Sequence, residues 1–64
     1  MNPEQTVRAI LRTLWDSRWH TYAELFEQVD QHDVLDRTIR TLIEDYGLEI
    51  NINTKSEMIY RLPK

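Results

Sequence analysis

In the stretch DVLDRTIRTLIED, residues 33–45, Arg37 and Arg40 stand three apart on what reads as the wet face of an amphipathic helix. Guanidinium groups placed this way can form bidentate hydrogen bonds with guanine, and Thr38 and Thr41 beside them can reach phosphate or a thymine methyl. The same stretch holds four carboxylates, Asp33, Asp36, Glu44 and Asp45. Asp33–Arg37, Asp36–Arg40 and Arg40–Glu44 are i, i+4 pairs, each worth about 0.2–0.5 kcal/mol in an exposed helix. A salt-bridged solvent face therefore competes with a nucleic-acid-reading one, although pairs this weak yield to a phosphate backbone.

The histidines are the other residues that could do chemistry. His20 lies four residues before Glu24, and His32 has Asp33 and Asp36 nearby, but no three or four ligands converge at a known metal spacing. A surface or capping role suits both better. No Ser, His and Asp set stands out, and the only glycine is Gly47, so there is no glycine-rich phosphate loop. A chain of 64 residues buries only about 60% of the surface its unfolded form exposes, which leaves little room for a pocket. The expectation is a protein that is not an enzyme, with no catalytic residue, metal or cofactor.

Charge is distributed unevenly. Residues 1–20 set Arg8, Arg12 and Arg18 against Glu4 and Asp16. Residues 21–47 set Arg37 and Arg40 against seven carboxylates, a local charge of −5 within a net −3 for the chain. Residues 48–64 set Lys55, Arg61 and Lys64 against Glu49 and Glu57. A nucleic-acid binder usually shows a basic stripe, because neutralised phosphates supply most of its non-specific affinity. Here the middle of the chain repels phosphate on average. There is no cysteine, no apolar run near the length of a membrane span and no basic-then-apolar leader, so one soluble cytoplasmic domain over residues 1–64 is expected.

The elements that must position these residues follow from periodicity. Asn2-Pro3 is a cap followed by proline at the first helical position, and Val7, Ile10, Leu11, Leu14 and Trp15 trace one buried stripe of a helix ending near Ser17 or Arg18. Trp19-His20 fits a short bridge strand. Thr21-Tyr22-Ala23-Glu24 is a capping box that opens a second helix, with Tyr22, Leu25, Phe26 and Val29 inward. In the third helix the buried stripe reads Leu35, Ile39, Leu42, Ile43 and Tyr46, and Gly47 is its left-handed stop. The period then changes to two: Leu48, Ile50 and Ile52 predict a half-buried strand, and Met58, Tyr60 and Leu62 its return. Asn53-Thr54-Lys55-Ser56 lacks glycine, which predicts a loop longer than two residues.

This order, with "RTIRTLIEDYGLEI" feeding "MIYRL", resembles the winged helix-turn-helix family along nearly the whole chain. The resemblance implies a small α+β fold, three helices with a C-terminal two-stranded β-hairpin wing in the order α-β-α-α-β-β. Many members carry a small residue, often glycine, between the second and third helices. Here the turn is Val29-Asp30-Gln31-His32, so the third helix begins at His32, Asp33 or Leu35.

Carried over by position, the family's use of its third helix and wing implies a transcription regulator that binds double-stranded DNA through Arg37, Thr38, Arg40, Thr41, Lys55 and Arg61. Lys64 would extend that basic strip. A domain this small offers few phosphate contacts, so a homodimer on a two-fold operator is expected, and the surface from Val7 to Trp19 is where its interface would lie. The alternative is a protein-interaction winged helix. Its face would comprise Glu24, Glu27, Asp33, Asp36, Glu44 and Trp19, docking a basic protein partner or, at the extreme, mimicking DNA. No membrane enters either reading.

Overall fold

A computed structural model describes residues 3–63. The elements are α1 (Pro3–Leu14), β1 (His20–Thr21), α2 (Tyr22–Val29), α3 (His32–Tyr46), β2 (Glu49–Ile52) and β3 (Met58–Arg61). The expected order α-β-α-α-β-β holds. The expected cap Asn2, and Lys64, lie outside the described residues. The hairpin does not stand as a pair of strands, because β1 joins it. The sheet has three antiparallel strands in the order β1-β3-β2, with His20 opposite Tyr60 and Ile50 opposite Tyr60 from the other side.

Each helix starts and stops for a local reason. Thr21 is the expected N-cap of α2, its Oγ1 accepting from the Glu24 N–H at 3.2 Å. α2 ends at Asp30, whose left-handed backbone (φ 59°) lets its N–H reach the Phe26 carbonyl at 2.7 Å. Asp30 thus takes the conformation that glycine commonly supplies, one that a short polar side chain tolerates. α3 starts at His32, behind Gln31. It ends at Gly47 (φ 67°), after which the Leu48 N–H bonds the Leu42 carbonyl and the chain enters β2.

The core consists of Ile10 and Leu14 from α1, Leu25 from α2, Leu35, Ile39 and Leu42 from α3, and Leu48, Tyr60 and Leu62. Val7, Leu11, Tyr22, Phe26 and Val29 pack against it. Two threonines, Thr6 and Thr38, are buried with them. Both fall on the inward stripe by spacing, and the Thr38 hydroxyl donates to the Val34 carbonyl at 2.9 Å, so burial leaves it satisfied.

Several expected core positions are outside. Trp15 is 74% exposed. α1 stops at Leu14, earlier than the expected Ser17 or Arg18, closing with Trp15 N–H to the Arg12 carbonyl and Ser17 N–H to the Leu14 carbonyl. Trp15 stands one residue, about 100° of helical rotation, past the stripe that Leu14 ends. Ile43 and Tyr46 are exposed for a related reason: the stripe of α3 runs through Leu35, Thr38, Ile39 and Leu42, leaving them at its margin and its end.

β2 was expected to be half-buried, yet all four of its residues are exposed, Ile52 at 60%. The alternation is present, since register puts Ile50, Ile52 and Met58 on the face of buried Tyr60. What is missing is cover, because β2 is an edge strand and α2 packs on β1 and β3.

Candidate nucleic-acid interface

α3 is held to α2 by an aromatic and polar clasp. The rings of Tyr22 and Phe26 stack on His32, with centroids 5.9 and 4.2 Å from it. The Tyr22 hydroxyl donates to Asp36 Oδ1 at 2.8 Å and lies 3.1 Å from His32 Nδ1. With the phenolic proton given to Asp36, the Nδ1 nitrogen of His32 must be the donor in the second bond. Burial, then the hydrogen bond to Asp36, pushes the Tyr22 hydroxyl up to about 12. Burial, then the charge of Asp36, also raises Tyr60. Asp36 therefore sits on the side of α3 that faces Tyr22.

That geometry decides what the arginines face. Among the described residues the ion pairs are Glu4–Arg8, Asp16–His20, His20–Glu24 and Glu49–Arg61. None of the three expected i, i+4 pairs of α3 is among them. Arg37 and Arg40 are both exposed, and neither is tied to a carboxylate of the described residues. Thr41 is half-buried and its hydroxyl donates to the Arg37 carbonyl at 3.1 Å.

Two expected contact residues do not reach this surface. Thr38 is 5% exposed, with its hydroxyl spent on Val34, so it offers nothing to a duplex. Arg61 lies on the sheet face opposite Tyr60, its Nε 2.9 Å from Glu49 Oε1 and its guanidinium carbon 4.3 Å above the Trp19 ring. Its charge is neutralised on the wrong side of the sheet. Both corrections have one cause: residue type suggested contact, but the helical stripe turns Thr38 inward and strand alternation turns Arg61 away from the face of Tyr60.

Lys55 sits exposed at the hairpin tip, as expected. Asn53 builds that tip. Its Oδ1 accepts from the N–H groups of Lys55 and Glu57 at 2.9 Å each, and its Nδ2 donates to Glu57 Oε1 at 3.1 Å. Asn53 N–H to the Glu57 carbonyl closes a three-residue loop, Thr54 to Ser56, with Ser56 left-handed (φ 62°). The expectation of a loop longer than two residues is met.

The alternative face divides. Glu27, Asp33 and Glu44 are exposed on the helices, whereas Glu24 is engaged by His20, Asp36 by Tyr22, and Trp19 lies under Arg61. Sequence reasoning paired His20 with Glu24 but missed Asp16. His20 Nε2 lies 2.8 Å from Asp16 Oδ1, and Nδ1 lies 2.8 Å from Glu24 Oε2. Only the doubly protonated ring can donate to both. Burial lowers the His20 pKa, but the hydrogen bonds to Asp16 and Glu24 outweigh it and leave it raised. The 16–20 spacing was legible, but Asp16 belongs to a turn, not to the helix that would have flagged the pair.

Comparison of the chain with protein-family models, with curated proteins and with solved structures finds no match.

Proposed function

We propose that the chain is a winged-helix DNA-binding protein, a transcription regulator that lays α3 in the major groove and sets the β2–β3 hairpin against the backbone. The observation that supports it is the state of Arg37 and Arg40: exposed on α3, with no carboxylate partner among the described residues, while the nearby Asp36 carboxylate accepts from Tyr22. Lys55 at the hairpin tip adds a second point of phosphate contact. A guanidinium is planar, so it loses less order per hydrogen bond than an ammonium does, and each can span two acceptors of a guanine. The reading carries a cytoplasmic location and needs neither cofactor nor metal. Affinity from one such surface is low, so the functional unit is a homodimer on a two-fold site.

The test is binding of labelled random-sequence duplex DNA by fluorescence anisotropy at low salt, repeated as salt rises. Binding should weaken steeply with salt and be lost in the Arg37→Ala/Arg40→Ala variant. No binding at low salt would remove the proposal.

A further inference from the structure

β2 is an open edge of the sheet, and register decides which of its backbone groups face outward. Asn53 donates its N–H to the Glu57 carbonyl at 3.0 Å, so its backbone groups turn toward β3. Direction alternates along an antiparallel ladder. Asn51 and Glu49, opposite Ile59 and Arg61, therefore also turn toward β3, while Ile50 and Ile52 direct their N–H and C=O groups to the open side. All four residues of β2 are exposed. Such edges are usually guarded by proline, lysine or a bulge. β2 has no proline or lysine, and its register with β3 steps residue for residue, without a bulge. Its one guard is the Asn51 side-chain oxygen, which accepts the Ile52 N–H at 2.8 Å and can rotate away.

The strand is its own match. Two copies paired antiparallel about a two-fold axis at Asn51 set Ile50 of each opposite Ile52 of the other. These are the residues with outward backbone groups, so each pair exchanges two hydrogen bonds. An axis at Ile50 would instead oppose Ile52 to Leu48, whose N–H is already bonded to the Leu42 carbonyl at 3.2 Å. An axis at Ile52 would oppose Ile50 to Thr54, in the hairpin loop. Side chains agree with the Asn51 axis on both faces. On the face of Tyr60, Ile50 and Ile52, exposed at 45% and 60%, cover each other across the junction. On the other face Asn51 meets Asn51, whose amides can bond each other once the Ile52 N–H is released. Glu49 there meets Asn53, and its carboxylate stays with Arg61 at 2.9 Å, so no acid opposes an acid.

We propose that two copies of this chain pair edge to edge through β2, antiparallel about an axis at Asn51, into one six-stranded sheet in the order β1-β3-β2-β2-β3-β1. The pairing supplies the homodimer that the DNA reading calls for, at the sheet edge and not on the α1 surface. It rests on the strand edge and not on that reading.

The test begins with sedimentation equilibrium of the full chain from micromolar to millimolar concentration. Monomer and dimer should appear and nothing larger, because two-fold pairing closes both β2 edges. In a mixture of isotopically labelled and unlabelled chains, filtered NMR spectra should connect the Asn51 Hα of one copy to that of the other, the close approach of a non-hydrogen-bonded pair. The Ile50 amide should exchange more slowly as concentration rises. Ile50→Pro removes an N–H that serves no bond to β3, and proline is tolerated at such an edge position. Two hydrogen bonds per dimer are lost, so the dimer should weaken at least about tenfold. Circular dichroism will show whether this variant folds, and if it does not, the filtered spectra of the unaltered chain decide alone. Arg37→Ala/Arg40→Ala should lose DNA and keep the dimer, so the two readings fail independently. A monomer at every concentration, or a dimer that folded Ile50→Pro leaves intact, would overturn the proposal. So would intermolecular contacts mapping to Trp15, or oligomers that grow past two.

Discussion

The Tyr22 hydroxyl donates to Asp36 across the α2–α3 junction at 2.8 Å, so a carboxylate four residues before Arg40 is held by a phenol instead of by the arginine. The bond joins two residues fourteen apart in sequence, and it makes an acid on the wet side of α3 compatible with a cationic surface.

Removing that hydroxyl should release Asp36. Tyr22→Phe is expected to cost about 1 kcal/mol of stability in chemical denaturation, the usual net worth of one such bond. Asp36 can then pair with Arg40, and DNA affinity should fall up to about twofold, matching an i, i+4 pair. Asp36→Asn should act oppositely on DNA, tightening binding at low salt. Unchanged affinity in both variants would refute the clasp's role in presenting the arginines.

Lys55 and Asn53 separate charge from scaffold at the hairpin tip. Lys55→Ala should leave the melting temperature unchanged and reduce the slope of log K against log salt by about one. Asn53→Ala removes the acceptor for two backbone N–H groups and should destabilise the chain by about 1–2 kcal/mol. If Lys55→Ala leaves the salt slope intact, the tip does not touch phosphate.

His20 makes stability depend on pH in a defined direction. Its folded pKa is raised, so its pairing contributes fully below about pH 6.5, the ordinary histidine value, and is lost as pH rises through the raised one. The Asp16 pKa is lowered, first by the His20 hydrogen bond and then by the Arg18 N–H. Its contribution is present above the ordinary aspartate range and disappears as pH falls through the lowered value. Urea unfolding should therefore show the chain most stable in weak acid. In the Asp16→Asn/Glu24→Gln variant the loss of stability from weakly acidic to alkaline pH should flatten. A decline of the same size in both proteins would count against the clamp.

Gly47 and Asp30 both occupy left-handed backbone, at φ 67° and 59°. A Cβ at Gly47 would meet nothing nearer than Pro63 Cγ at 3.9 Å, an ordinary contact. Gly47→Ala should thus cost only the backbone penalty, about 1–2 kcal/mol. Asp30→Gly should be neutral or stabilising by up to about 1 kcal/mol, because it relieves the same strain. Thermal melts of the two variants will show whether the shifts have opposite sign.

The sequence alone determined what neighbours along the chain decide. The Thr21–Glu24 cap, the Gly47 stop, the change of period after it and a hairpin loop longer than two residues all depend on groups within a few residues, so their signals are local and additive. The same logic placed Arg37, Arg40 and Lys55 outside. Only the tertiary structure decided which flank of each stripe is covered. Trp15 and Ile43 lie one helical step beyond Leu14 and Leu42, where a small rotation of the helix against its neighbours exchanges inside for outside. Thr38 shares the inward stripe with Leu35, Ile39 and Leu42, and its hydroxyl bonds back to Val34, so a polar residue type did not keep it at the surface. Ile50 and Ile52 kept the inward face of β2 but found no element above them, since the order β1-β3-β2 leaves that strand at the edge. Asp36 and Arg61 found Tyr22 and Glu49 across turns of the chain, where no helical or strand period could announce them. Periodicity specifies a face; what stands opposite that face is set by packing among elements distant in sequence.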